Sequence, residues 1–137
     1  GKSLNNLIIL DSVENLDSYS FAGNPFKKVI VGNGVEMISY CSFCSAQTEE
    51  LVLGNSVKEI DKEAFWCCSN LLSVVIPDSV KYIDNYVFNG CLHLTYVTLP
   101  DSLNEILDGA FDGCESLSSI RIPDGVDFIY PYAFAAG

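Results

Sequence analysis

Six cysteines, a repeating set of aspartates and a single histidine are the residues of this chain whose types and spacing could do chemistry. Cys41-x-x-Cys44 followed by Cys67-Cys68 has the outline of a zinc ligand set. The match is weak: the stronger signal is two Cys-x-x-Cys pairs about 15 to 20 residues apart, and a contiguous second pair fits a tetrahedral site badly. Small buried residues flanking Phe43 explain Cys41 and Cys44 without a metal. A redox pair belongs at a helix N-terminus after a strand, in a βαβ context that is missing here. Cys68, Cys91 and Cys114 recur at one fixed interval and read as a column of buried thiols that pack as small apolar groups. Disulfides are the competing reading in an oxidising compartment. Side chains stacked in register point the same way, which is poor disulfide geometry, and a set of three leaves one over.

The aspartates also recur. Asp11, Asp78, Asp101 and Asp124 form a column, with Asn33 and Asn55 in the gaps. A carboxylate ladder could hold calcium, but a turn role, in which the side chain bonds the local backbone, accounts for every member including the asparagines. Glycoside hydrolysis needs two carboxylates across one sugar-sized cleft, and no unique pair stands out. His93 precedes Leu94 at a polar, varied position and reads as a solvated loop residue. No serine or cysteine carries a nucleophile motif. Trp66 follows Phe65 and is either an exposed anchor for a partner or a lid over the adjacent turn. No catalytic residue, metal ligand or cofactor is assigned.

The elements that would carry these residues are copies of one short pattern. The strand-opening residue falls at Leu7, Val29, Leu51, Val74, Val97 and Ile120, an interval of roughly 22 to 23 residues. The first two intervals are one residue shorter than the later three. A turn residue follows at Val13, Val35, Val57, Val80, Leu103 and Val126. Leu16, Ile38, Ile60, Ile83, Ile106 and Ile129 come next, then Phe21, Phe43, Phe65, Phe88, Phe111 and Phe134. Leu4-x-x-Leu7-x-Ile9, Leu71-x-x-Val74-x-Ile76, Leu94-x-x-Val97-x-Leu99 and Leu117-x-x-Ile120-x-Ile122 share the leucine-rich-repeat strand pattern at a leucine-rich-repeat period. Pro-Asp-Ser or Pro-Asp-Gly then ends the strand. Gly32-Asn33-Gly34 and Gly54-Asn55-Ser56 are expected to make the same bend through glycine freedom. A second short strand follows, and the stretch up to each Phe, such as Asp84 to Phe88, reads as a tight helical turn.

The predicted fold class is therefore a β-rich leucine-rich-repeat solenoid of six repeats, each of roughly 22–23 residues. Short parallel strands form its concave face, with second strands and tight helical turns on the convex side. Residues 1–137 form one solenoid. Gly1 and Gly137 sit at the same phase of the repeat, and neither end carries an atypical capping repeat. The expectation is a segment of a longer array.

Composition narrows the partners. The chain has 18 acidic and 7 basic residues and a net charge of −11. That disfavours a nucleic-acid backbone or an anionic membrane surface, both of which reward basic patches. No apolar run is long enough to span a bilayer.

Alternation sends one set of strand residues outward: Asn6 and Ile8, Lys28 and Ile30, Glu50 and Val52, Ser73 and Val75, Tyr96 and Thr98, Ser119 and Arg121. β-Branched residues favour cross-strand packing in any sheet. They would also make an apolar stripe with polar flanks, the composition of a binding strip. Lys28 and Glu50 would be cross-strand neighbours, with little net stabilisation if exposed. The candidate binding residues are Ile8, Lys28, Ile30, Glu50, Val52, Ser73, Val75, Tyr96, Thr98, Ser119 and Arg121.

Ile76-Pro77-Asp78-Ser79-Val80, then Ile83, then Val87-Phe88, then Gly90-Cys91-x-x-Leu94 resembles the BspA-like, or Treponema pallidum type, leucine-rich repeats. The copies from 74 and 97 match almost throughout, and the copy from 120 matches as far as it runs. The copy from 51 keeps Ala64-Phe65 and Cys68 but has Gly54-Asn55 for Pro-Asp, and the first two copies diverge most. The resemblance implies an extracellular or cell-surface, non-catalytic protein of bacteria or some protozoa. It also implies adhesion to another protein, such as host matrix or plasma proteins, or to other cells. A passive stalk presenting another domain and an accessory glycan-binding module are the alternatives.

Overall fold

A computed structural model describes residues 5–135 of the chain. Leu4, Gly1 and Gly137, used above in the repeat pattern and its phase, lie outside the described residues. The chain winds as a solenoid of six rungs, each anchored by one Phe of the column Phe21 to Phe134. Three separate ladders run along the stack, of which the turn ladder alone joins every rung to the next.

The first ladder is a parallel sheet of β1 (Asn6–Ile9), β3 (Lys28–Val31), β5 (Glu50–Val52), β7 (Ser73–Val75) and β9 (Tyr96–Thr98), in that order. Its register pairs Leu7 with Val29, Val29 with Leu51 and Val74 with Val97, so the strand-opening column is a true structural column. Side chains alternate: Val29, Leu51, Val74 and Val97 are buried while their strand neighbours face outward.

The second ladder is built from two-residue strands. β2 (Asn15–Leu16), β4 (Met37–Ile38) and β6 (Glu59–Ile60) form one sheet; β8 (Tyr82–Ile83), β10 (Glu105–Ile106) and β11 (Phe128–Ile129) form another. The interruption between β6 and β8 falls where the repeat lengthens by one residue, between Leu51 and Val74. The added residue lies between Phe65 and Val74, nine positions apart where Phe43 and Leu51 are eight apart. The first ladder thins at the same boundary, where Glu50 and Ser73 are the one registered pair between β5 and β7.

The third ladder runs through the turns that the sequence assigns to a tight helix. They are not helical. The residue two before each Phe takes a left-handed φ: 62° at Tyr19, 52° at Cys41, 58° at Glu63, 59° at Tyr86, 61° at Gly109 and 61° at Tyr132. The residue two after does so at Gly23, Ser45, Cys67, Gly90 and Gly113. A left-handed residue cannot continue a right-handed helix. In the third rung, Glu63, Phe65 and Cys67 donate their N–H groups to the next rung's Asn85, Val87 and Asn89 carbonyls at 3.0, 3.0 and 2.7 Å. The residues between them, Ala64, Trp66 and Cys68, donate locally to Asp61, Glu63 and Phe65. Each non-glycine left-handed residue costs about 1–2 kcal/mol, which the added hydrogen bonds, about 0.5–1.5 kcal/mol each, help offset.

Between the ladders runs the core. The six Phe rings form one stack with centroids 5.2–5.5 Å apart and planes within 15° of parallel. Val35, Val57, Val80, Leu103, Ile38, Ile60, Ile83 and Ile106 are fully enclosed, while the outer-rung members Val13, Val126, Phe21 and Phe134 are only partly buried. Each rung therefore buries its apolar face on its neighbours, as expected for a quasi-one-dimensional fold.

The Gly-Asn segments serve the stacking, not the bend. Neither Gly32 nor Gly54 has a left-handed φ. A Cβ on Gly32 would sit 2.4 Å from the Ile9 carbonyl oxygen, and one on Gly54 would sit 2.4 Å from that of Gly32. Glycine is required because backbone meets backbone there.

Candidate functional site

The outward residues of the five-stranded sheet come together as the alternation requires. Ile8 pairs with Ile30, Ile30 with Val52, and Val75 with Thr98. Ile8, Val52 and Val75 are 60%, 46% and 60% exposed and Ile30 is half-buried, so an apolar strip lies open across four rungs, whereas the other apolar columns are enclosed in the inner rungs and open only at the outer ones, as at Ile129. Asn6, Lys28, Glu50, Ser73 and Tyr96 form a second outward column beside it. Lys28 and Glu50 are cross-strand partners, with Nζ 3.8 Å from Oε2. Tyr96 is exposed over Ser73's strand.

Two of the expected residues are placed differently. Ser119 and Arg121 lie in no strand, and among the described residues no backbone hydrogen bond joins them to β9. Leu117, Ile120 and Ile122 are only partly buried where Leu94, Val97 and Leu99 are buried, so less packing presses this segment onto its neighbour. A cleft of about 470 Å³ opens between Tyr96–Leu99 and Ser119–Arg121. The Arg121 guanidinium instead reaches Asp101, 3.4 Å from Oδ1.

The strip has a wall on its turn side. One cleft of about 330 Å³ is lined by Ile8, Leu10, Asp11, Ile30, Asn33 and Val52. Another of about 520 Å³ is lined by Val75, Asp78, Ser79, Thr98, Asp101 and Arg121. The aspartate column that forms this wall bonds along the stack at its start, not within its own turns. The Asp11 carboxylate accepts the Asn33 N–H at 2.8 Å, and the Asn33 side-chain carbonyl accepts the Asn55 N–H at 3.2 Å. Leu10, 67% exposed, extends the strip and was not selected from the sequence, although the same alternation points to it.

The cysteines are accounted for away from this face. Cys68, Cys91 and Cys114 are buried free thiols that donate to the Phe43, Phe65 and Phe88 carbonyls at 3.0, 3.4 and 3.1 Å. Burial pushes Cys68 and Cys114 up to about 12 and raises Cys91 well above the ordinary thiol value. Cys41 and Cys44 are buried around Phe43 and joined by a disulfide, which the sequence reading did not assign. Cys67 is free and half-buried. Among the described residues no three His, Cys, Asp or Glu side chains stand where they could share a metal ion. No helix among them is long and apolar enough to cross a membrane. His93 is exposed, its Nδ1 2.6 Å from the Ser69 carbonyl, and Trp66 is partly exposed at 38%.

The BspA type leucine-rich repeat pattern matches this sequence in six copies, over residues 1–106 and 58–137. The chain belongs to the BspA-type leucine-rich repeat family. Its fold is similar to that of a leucine-rich repeat protein of Bacteroides ovatus, at 31% identity and a TM-score of 0.86, covering 96% of this chain and 34% of that one. A leucine-rich repeat protein of Eubacterium ventriosum matches at 25% identity and a TM-score of 0.74, covering 98% of this chain and 43% of that one. A leucine-rich cell surface protein of Faecalibacterium prausnitzii matches at 26% identity and a TM-score of 0.66, covering 96% and 36%. The chain thus spans less than half the length of each of these relatives. No curated protein matches it. Within this BspA-type array the enclosed columns stay nearly constant, whereas the outward series Ile8, Ile30, Val52, Val75, Thr98 and Arg121 changes from copy to copy.

Proposed function

We propose that this BspA-type array is a non-catalytic binding module of a cell-surface or secreted protein, and that it holds another protein against the five-stranded face. The observation that carries the reading is the open strip of Ile8, Ile30, Val52 and Val75, which crosses inner rungs where the other apolar columns are enclosed. Exposed apolar strips rimmed by polar residues mark interaction surfaces, and solenoids present extended surfaces of this kind. The surface relative of Faecalibacterium prausnitzii supports the location. Family likeness supports the binding role by analogy, and host matrix or plasma proteins are the partner class we test.

The test is capture of matrix and plasma proteins by the wild-type chain and by a variant carrying Ile30→Glu, Val52→Lys and Val75→Glu, both shown folded by circular dichroism. Capture that the variant loses supports binding on this face. Equal capture by both moves the site elsewhere. No capture by either favours a stalk that presents another part of a longer protein.

A further inference from the structure

We infer that the groove along the five-stranded face receives an amphipathic helix of another protein, with an apolar stripe over Ile8, Ile30, Val52 and Val75 and a lysine or arginine flank against Asp78 and Asp101. This rests on the binding reading above and narrows its occupant. The strip runs across the strands, so its four residues follow the rung spacing. Parallel strands lie about 4.8 Å apart, and three intervals make about 14 Å. Three turns of helix advance about 16 Å, bringing one apolar residue over each rung in turn. Same-face residues of an extended chain lie about 6.8 Å apart, so three intervals reach about 20 Å and overshoot by more than one rung. A helix therefore keeps register with the strip and an extended segment does not. Helix-in-groove docking reads the partner through such anchors, one turn apart.

The charge of the flank follows from the wall. Its first half is occupied internally: the Asp11 carboxylate and the Asn33 amide accept the N–H groups of Asn33 and Asn55. At Asp78 that ladder has stopped. Among the described residues Asp78 forms no ion pair, and Asp101 has the single contact with Arg121 at 3.4 Å. Both line the cleft beside Val75. The net charge of −11 adds a field of the same sign. The helix's positive side chains therefore belong over the fourth and fifth rungs, where Asp78 and Asp101 stand together, and its uncharged part over the second and third, where the wall is Asn33 and Asn55.

Isothermal titration of the whole chain with designed peptides of about 18 residues tests this. The first peptide places leucines along one helical face and lysines on one flank. The second contains the same residues reordered, so that leucines align only in an extended chain. The third replaces each lysine with glutamate. We expect the first to bind in the micromolar range and the other two at least about tenfold more weakly. Val52→Gln with Val75→Gln should weaken the first peptide about tenfold. Asp78→Asn with Asp101→Asn should weaken it about threefold and flatten its dependence on salt between about 50 and 300 mM. Tighter binding of the reordered peptide, no binding of the first, or binding indifferent to the Val52 and Val75 variant overturns the helix. A chain that captures matrix or plasma proteins through this face, yet ignores the first peptide, refutes the occupant and leaves the binding reading standing. The peptide comparison needs only wild type, so a variant that fails to fold does not remove the test.

Discussion

The rings of Phe65 and Phe88 stack 5.5 Å apart with planes 6° from parallel, across the boundary where the short-strand ladder is interrupted. The added residue between Phe65 and Val74 disturbs both strand ladders there, but the Phe column passes through unbroken. The turn ladder crosses with it, through the Phe65 N–H to the Val87 carbonyl. With the thinned pairing of β5 and β7, these two features hold the first three rungs to the last three.

Truncating the stack at this boundary should be severe. Phe65→Ala removes a fully enclosed ring with a stacked partner on each side, and is expected to cost about 3–5 kcal/mol. Phe21→Ala removes a partly buried ring with one partner and should cost less. Urea titrations followed by far-ultraviolet circular dichroism would rank the two, and a Phe21 variant as unstable as the Phe65 variant would contradict the account.

The glycines predict a contrast. Gly54→Ala forces a Cβ onto the Gly32 carbonyl oxygen and should destabilise by about 1–3 kcal/mol. Gly23→Ala meets open space but keeps a left-handed φ of 68°, so its cost is strain alone, about 1–2 kcal/mol. Thermal melts of Gly54→Ala, Gly23→Ala and Gly23→Asn separate the causes. Asparagine tolerates left-handed backbone and should recover most of the loss at position 23, whereas Gly54→Asn should recover nothing.

The thiol column predicts a pH dependence. The ordinary thiol value is 9.0, and in the folded chain Cys68 and Cys114 are pushed to about 12 by burial. Above the unfolded value the unfolded chain loses protons that the folded chain retains, so stability falls as pH rises. It should be insensitive to these thiols below about pH 9, decline up to about pH 12, and then level off with respect to them. Cys91→Ala should reduce the slope. At neutral pH a maleimide should label Cys67 in the folded chain and reach Cys68, Cys91 and Cys114 only after unfolding, as peptide mapping would read.

The Lys28–Glu50 pair should matter little to the fold. Its side chains are 41% and 64% exposed, and such pairs contribute about 0–1 kcal/mol. A double-mutant cycle with Lys28→Ala and Glu50→Ala checks this; a larger coupling would mean that the outward column is less solvated than its exposure indicates.

The columns were legible in the sequence because period and alternation are set by which residues must be enclosed, and enclosure here recurs rung by rung. The turn conformation was not legible. Tyr19, Glu63 and Tyr86 occupy left-handed backbone that their residue types do not signal, and only Gly109 in that column hints at it. What holds them there is a bond to the next rung, which no local pattern encodes. Ile120 has the same pattern as Val97 yet lies in no strand, because strand formation depended on packing depth and not on pattern. On the candidate face the strip was readable from period two. Which aspartates of the wall stay unoccupied was not, since that follows from amide ladders between rungs.

The turn ladder also gives the solenoid a polarity. At Phe21, Phe43, Phe65, Phe88 and Phe111 the donating N–H belongs to the earlier rung and the accepting carbonyl to the later one. Amide dipoles in this column therefore add along the long axis instead of cancelling, as they do down an α-helix. A further rung would therefore be met differently on the two sides of this stack: one that follows must present carbonyls to the turn N–H groups, and one that precedes must present N–H groups to the turn carbonyls.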